Sequence, residues 1–405
     1  MAGVLTNHHV LLIVENNSVP FDRRVWQEAL ALAEYGAAVS IICPKADAFQ
    51  LDCETLQGVR VFRYAPKWAG KGVGGYLLEY AWAWAQILRL IFRCLRRCGS
   101  IDVLHAANPP DIFWPIALLL RLRGTRFVFD EHDLAPLVMA AKFPSRAGRW
   151  LSSLLGWLER INYRVADAVI VTNQSFRRHA LSACPGVEQK IFVVRNGPDT
   201  RFFRPRAPSI GLKGGRKYLA VYVGLMGKQD GVAAIVQAMH VLVGQLHYKD
   251  LTVYLVGDGD ELPGLRKRIH AYGLQAYIRC PGILQGQALL DVLASADICL
   301  APEPPDRLNH MCTMIKVMEY MAMGKPIVAF ALKETRYTAG DAALYVTPAE
   351  PAAYARAMVR LLADAGLRQV MGRIGRERIL KRLAWRHVRA PLYLAYTRIL
   401  KAKGG

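Results

Sequence analysis

Apolar and polar residues fall along this chain in blocks. Short β-rich apolar runs recur at HVLLIVEN (9–16), AVSIICP (38–44), VRVFRYA (59–65), DVLHAAN (102–108), RFVFDEH (126–132), AVIVTN (168–173) and IFVVRN (191–196). Between most of them lie longer stretches with helical spacing, such as 23–35 and 145–164. Apolar strands alternating with amphipathic helices predict parallel sheets covered on both faces. NGPDTRFFRPRAPSIGLKGGRK (196–217), rich in Pro, Gly and basic residues, reads as a linker. A second series follows: YLAVYVGL (218–225), LTVYLVG (251–257), IRCPG (278–282), ADICLAP (296–302), PIVAF (326–330) and ALYV (343–346). The tail from Pro351 reads as helical, and a last helix near 385–400 is expected to pack back on the first domain. The expectation is an α/β chain of two doubly wound Rossmann-like domains, 1–200 and 201–382, with 383–405 returning to the first. Such sheets bind ligands beyond the carboxyl ends of their strands, so a central cleft is expected to hold the site.

Composition narrows the partners. Of 405 residues, 53% are hydrophobic, enough to bury more than one core and to exclude a disordered chain. The formal net charge of +21 points to an anionic partner: a phosphorylated small molecule, an anionic membrane or nucleic acid. No aromatic-studded basic ribbon supports nucleic acid, which is not expected as a partner. The eight cysteines form no C-x-x-C pair and no Cys/His pattern with zinc spacing. A reducing compartment, without disulfides or structural metal, is expected. The amino-terminal run lacks the basic start of a signal peptide, and no stretch of about 20 residues is free of charge.

The chemistry concentrates in PEPPDRLNHMCTMIKVMEYMAMGKPIVAF (302–330). Its spacing predicts a helix from about His310 to Met323, closed by Gly324 and Pro326. Thr313, Lys316 and Glu319 then fall along one edge. A helix amino terminus is an anion site. Thr313 and Lys316 add a hydroxyl and a charge for a diphosphate, and Glu319, about 9 Å further on, suits a ribose. On spacing alone, an exposed Lys316–Glu319 pair that only stabilises the helix explains the pattern equally well. In NNSVPFDRRVWQE (16–28), Asp22 is expected to start a helix, with Arg23 and Arg24 offering forks for phosphate oxygens. Asp258-Gly259-Asp260 resembles a metal-binding D-x-D, but its place after LTVYLVG reads as a turn into a helix.

EYMAMGKPIVAF after ADICLAP, with VENNSVPFDRRVWQEALALAEYG, FDEHDLAP, VVRNGPD, YVGLMGKQDGV, VYLVGDGDEL and LAWRHV, resembles GT-B glycosyltransferases of glycosyltransferase family 4. The nearest likeness is to the branch that builds bacterial surface polysaccharides and O-antigens. The resemblance implies a GT-B fold and retaining transfer of a sugar from a UDP- or GDP-sugar. It implies that Glu319 is the second Glu of the E-x7-E motif and holds the ribose. The first Glu of that motif falls at Met311 and is missing. Cys312 and Thr313 then stand where backbone amides meet sugar and phosphates. An Arg and a Lys that clamp the diphosphate in many members read Leu225 and Asp230 here, leaving Lys228 and Lys316 as cations. Gly224, Pro281 and Gly282 complete the expected donor site. His132 matches the active-site histidine, with Asp133 beside it; Asp130, Glu131 and Asp133 either fix its tautomer or are solvated. Asn17, Arg23 and Arg24 are expected to meet acceptor or phosphate.

Neither cofactor nor metal is expected; the nucleotide-sugar is a co-substrate. Segments 74–99, 111–124 and 142–165 mix bulky apolar and basic residues, which suits an anionic membrane surface. A cytoplasmic enzyme held peripherally at the inner face of the cell membrane, working on a glycan or polyprenyl-diphosphate-linked acceptor, is the expectation. A GT-B nucleotide-sugar epimerase and a catalytically silent GT-B-like scaffold or binding protein are the alternatives.

Overall fold

The computed structural model describes residues 5–46, 49–67, 73–143 and 145–401. The chain divides into two compact units, residues 1–195 with 389–405, and residues 196–388. The linker read from Asn196 onwards therefore belongs to the second unit, and the return to the first begins at Arg389. Residues 1–4 and 402–405 lie outside the described residues.

The first unit is built on β1 (His9–Ile13), β2 (Ala38–Pro44), β3 (Cys53–Leu56), β4 (Val59–Tyr64), β5 (Val103–Ala107), β6 (Arg126–Glu131), β7 (Ala168–Val171) and β8 (Ile191–Val193). Their order across the sheet is β3-β4-β2-β1-β5-β6-β7-β8. Pairing is parallel except for β3, which makes an antiparallel hairpin with β4. β3 was not expected: its four residues, three half-buried and one exposed, form no apolar run and carry no strand signal. All five residues of β1 are buried, as a central strand covered on both faces requires. The expected last helix is broken. A short turn of helix, Trp385–Val388, ends the second unit, and Ala390–Lys401 packs on β7 and β8 of the first.

The second unit holds β9 (Tyr218–Val223), β10 (Leu251–Val256), β11 (Ile278–Gly282), β12 (Ile298–Ala301), β13 (Ile327–Phe330) and β14 (Ala343–Val346), all parallel, in the order β11-β10-β9-β12-β13-β14. Two apolar cores lie on its two faces. Ala220 and Tyr222 of β9 join one, and Leu219 and Val221 the other, because successive side chains point to opposite faces. This doubly wound pattern turns a periodicity of two into a two-sided core. It leaves the strand ends and their loops as the places where polar side chains gather.

Candidate active site

In the first unit, β6 ends at Glu131 and delivers His132 into a polar knot. The carboxylate of Asp130, wholly buried, accepts from His132 Nε2 at 2.5 Å and from Arg24 at 2.8 and 3.3 Å. Arg24 also lies 3.0 Å from Glu28, one helical turn on. His105 Nε2 approaches Asp130 at 3.4 Å and Glu28 at 3.5 Å. The other His105 nitrogen is 2.7 Å from the Tyr396 hydroxyl, supplied by the helix Ala390–Lys401. One buried guanidinium cannot neutralise two buried carboxylates, so they part company. Burial opposes ionisation of Asp130, but Arg24 and His132 outweigh it and hold this carboxyl well below the usual range. Burial dominates at Glu28 and pushes it well above that range, so Glu28 keeps its proton. Burial also lowers the His105 pKa and keeps that ring neutral.

An ionised Asp130 can only accept, so His132 donates to it through Nε2, and Nδ1 is the ring nitrogen left for a ligand. The His132 side chain keeps 16% of its surface exposed, enough for a ligand to reach it. The backbone around it is stapled by Asn108, whose Oδ1 accepts from the amides of His132 (2.6 Å) and Asp133 (3.1 Å). Asp133 itself is exposed. Glu131 points the other way, accepting from the Tyr163 hydroxyl.

Arg24 corrects an expectation. It is not a surface fork for phosphate: it is 6% exposed and spent on Asp130, Glu28 and the Val194 carbonyl. Arg23, its neighbour, is exposed at the first position of the helix Arg23–Glu34. Asp22 caps that helix, accepting from the Val25 amide at 3.0 Å. Asn17 is half-buried before it, its Oδ1 accepting from Ser18 N. Glu28, Asp130 and His132 each place one donor atom within 4.8 Å of the others. Two of the three, Asp130 and Glu28, pair with the Arg24 guanidinium.

The second unit gathers its residues at the carboxyl end of its sheet. Gly224 follows β9 and Gly257 follows β10. A Cβ at Gly257 would lie 1.9 Å from the Gly224 carbonyl oxygen, so the two turns touch only because glycine stands there. The Gly257 amide donates to the carbonyl of Gly282, which with exposed Pro281 ends β11. A Cβ at Gly224 would fall 2.7 Å from Lys316 Nζ. Lys316 is largely buried. It donates to Glu303 at 2.6 Å and to the Tyr222 hydroxyl at 2.9 Å, and lies 4.2 Å from the Tyr222 ring centroid. Burial opposes its charge, yet the Glu303 carboxylate outweighs that and holds Lys316 above the usual lysine range. The second Glu303 oxygen is buried with no hydrogen-bond partner among the described residues. Lys228 is exposed at the start of the turn after β9.

The predicted helix shortens here. It runs Ile315–Ala322 rather than from His310, because residues 306–312 form turns held by Asn309. The Asn309 amide group donates to the carbonyls of Gln229 and Pro304. Cys312 and Thr313, both half-buried, therefore precede the helix, and Lys316 and Glu319 lie on it. Glu319 is 5% exposed, so the exposed Lys316–Glu319 surface pair is also set aside. Gly324 takes φ +69° just beyond the helix, as its position predicted. Asp258-Gly259-Asp260 is a turn, with the next helix beginning at Leu262. Glu303, Tyr222 and Asn309 were missed. A buried Glu after ADICLAP has no spacing signal, since its partner is 13 residues away across a loop.

Residues 22–197 match the model described as "Glycosyl transferase 4-like domain", and residues 217–364 the model "Glycosyl transferases group 1". The chain is 26% identical over 295 residues to the alpha-maltose-1-phosphate synthase of Mycolicibacterium smegmatis, covering 66% of this chain and 71% of that protein. Among solved structures it is similar to sucrose-phosphate synthase from Thermosynechococcus elongatus, with a TM-score of 0.78, 20% identity, and 98% and 100% of the two chains covered. It is also similar to Anabaena HepE in complex with UDP and glucose, with a TM-score of 0.70, 15% identity, and 97% and 100% covered. With the two domain types in order and both Rossmann-like sheets in place, the chain is a glycosyltransferase of the GT-B fold, a 4-like domain followed by a group 1 domain.

Proposed function

We propose that this glycosyltransferase moves a sugar from a UDP- or GDP-sugar, with retention of configuration and without a catalytic metal, to a glycan or polyprenyl-diphosphate-linked acceptor. The observation that carries this reading is His132: its Nε2 proton is committed to an ionised Asp130, so Nδ1 stands ready to accept from a sugar hydroxyl. Such a hydroxyl becomes more acidic as positive charge builds on the sugar ring, and the bond to Nδ1 strengthens with it. In the second unit, Glu319 takes the ribose, and Lys316 with Lys228 meets the diphosphate. Cation charge matters there because an unpaired diphosphate is a poor leaving group. Asp133, Asn17 and Arg23 are assigned to the acceptor side. Closure around the donor limits its hydrolysis. HepE, bound to UDP in its solved structure, supports a nucleotide donor.

The surface-polysaccharide role draws on the first unit's exterior. The helix Arg146–Val165 exposes Trp150 (69%) and Trp157 (51%) among arginines, which suits an anionic lipid surface at the inner face of the membrane. No helix among the described residues is long and apolar enough to cross a membrane.

The test is a panel of nucleotide-sugars scored for binding by calorimetry, then for transfer to lipid-diphosphate and sugar-phosphate acceptors, with an arm lacking acceptor. Glu319→Ala is expected to weaken donor binding about tenfold or more. Unchanged donor affinity rejects the ribose placement, and epimerised donor without acceptor replaces transfer by epimerisation. Flotation that shows no preference for anionic liposomes removes the membrane assignment.

A further inference from the structure

At the amino-terminal ends of β1 and β2, the opposite end of the first sheet from His132, three side chains converge that the transferase reading does not use. Cys94 and Cys98 stand four apart on one face of the helix Val73–Cys98, and His9 opens β1. One ring nitrogen of His9 and the two sulfurs lie within 4.8 Å of one another. Cys94 and His9 are buried, and Cys98 is half-buried. Bonds of about 2.3 Å from one metal ion would set two sulfurs about 3.8 Å apart, so small side-chain movements suffice.

The histidine is already dressed as a ligand. Its Nδ1 lies 2.6 Å from the Ser100 carbonyl oxygen, which can only accept, so Nδ1 carries the proton. Nε2 is then the lone-pair nitrogen, receiving the Ser40 hydroxyl at 2.9 Å. A ring N–H held by a backbone carbonyl is the usual support of a metal-bound imidazole. Burial lowers the His9 pKa and keeps the ring neutral. Arg60 donates to Cys98 Sγ at 2.8 Å. Burial and the neighbouring Cys98 raise the Cys94 thiol, which is protonated in the metal-free protein.

We propose that His9 Nε2 and the thiolates of Cys94 and Cys98 bind one thiophilic divalent cation of the zinc type, with Ser40 Oγ or water completing a tetrahedron. Binding releases two protons, one from each thiol, and forms two metal–sulfur bonds and one metal–nitrogen bond. The ion ties the start of β1 to the end of the long helix. Lying at the end of the sheet away from His132, it stabilises the first unit and takes no part in sugar transfer.

Reduced, chelator-treated full-length protein is titrated with cobalt(II). The expected result is one cobalt per chain with a thiolate-to-cobalt charge-transfer band and the visible bands of tetrahedral cobalt, displaced by one equivalent of zinc. Affinity should rise with pH, up to about a hundredfold per unit where two protons leave. Cys98→Ser, at a half-buried position that folding tolerates better than Cys94→Ser, should weaken binding at least about tenfold. Cys53→Ser, outside the cluster, should leave it unchanged. Cobalt affinity unchanged in Cys98→Ser, or no band at all in freshly reduced protein that is folded by circular dichroism, overturns the site. A Cys94–Cys98 disulfide whose reduction restores no cobalt band does the same and marks the pair as a redox couple instead.

Discussion

Around His132, one buried guanidinium pairs directly with two carboxylates, whereas beside Gly224 one largely buried ammonium pairs directly with a single carboxylate and a phenol, with Asp230 adding to its field. The difference shows in the protons. Asp130 stays ionised while Glu28 keeps its proton, because Arg24 supplies one positive charge for two acids. Lys316 stays charged, with Glu303 its direct partner and Asp230 adding to the field. The first arrangement spends its charge on orienting one imidazole. The second presses a lysine against a glycine turn, where only the absence of a Cβ lets it sit. The number of anions for each buried cation thus separates a device that holds a tautomer from one that holds a charge.

The largest effect should come from the ring itself. His132→Ala is expected to lower turnover by about 10² to 10⁴ with the far-ultraviolet spectrum unchanged. Asp130→Asn should act in the same direction, since an amide can donate as well as accept and no longer selects the tautomer. Wild-type turnover in the alanine variant would sink the proposed role of His132.

Next comes stability. Arg24→Met leaves the wholly buried, ionised Asp130 without its guanidinium and also removes the Glu28 contact, and should cost about 3–5 kcal/mol in urea unfolding. Lys316→Met strands one acid, which can take up a proton, and should cost less. Equal losses in the two variants would erase the contrast between the two buried cations.

The smallest effect concerns pH. Asp111, buried in the first unit and accepting from Asn108 at 2.9 Å, is pushed up to about 7 by burial. Its folded value exceeds the unfolded one, so its contribution is fully present below about pH 4 and is lost as pH rises towards 7. Asp111→Asn removes that slope and should recover about 1–3 kcal/mol at neutral pH. Thermal melts at pH 4.5 and 7.5 compare the two proteins, and an unchanged slope in the variant rejects the assignment.

Much of the architecture was legible because its signals are local. The runs that became β1, β2 and β4 to β14 announce themselves by composition, as Asp22 and Gly324 do by the ends they mark. The strand that escaped notice, β3, is short, half-exposed and paired only with its hairpin partner. His132 was reached through its motif, but its tautomer was not. The helix Ile315–Ala322 was overextended because turns stapled by Asn309 can share apolar spacing with a helix. Arg24 illustrates the limit most sharply: two adjacent arginines look alike in sequence, yet one is exposed and the other is buried against an aspartate 106 residues away.

The residue order by itself determined the alternation of strands and helices, the two series, and the loops at the strand ends, since each follows from spacing over a few residues. Only the tertiary structure decided which charges meet: Arg24 with Asp130, Lys316 with Tyr222, His105 with Tyr396, and His9 with two cysteines some 85 to 89 positions on. Those meetings depend on how parallel strands are ordered across a sheet, and a pairing between distant segments leaves no periodicity in either one.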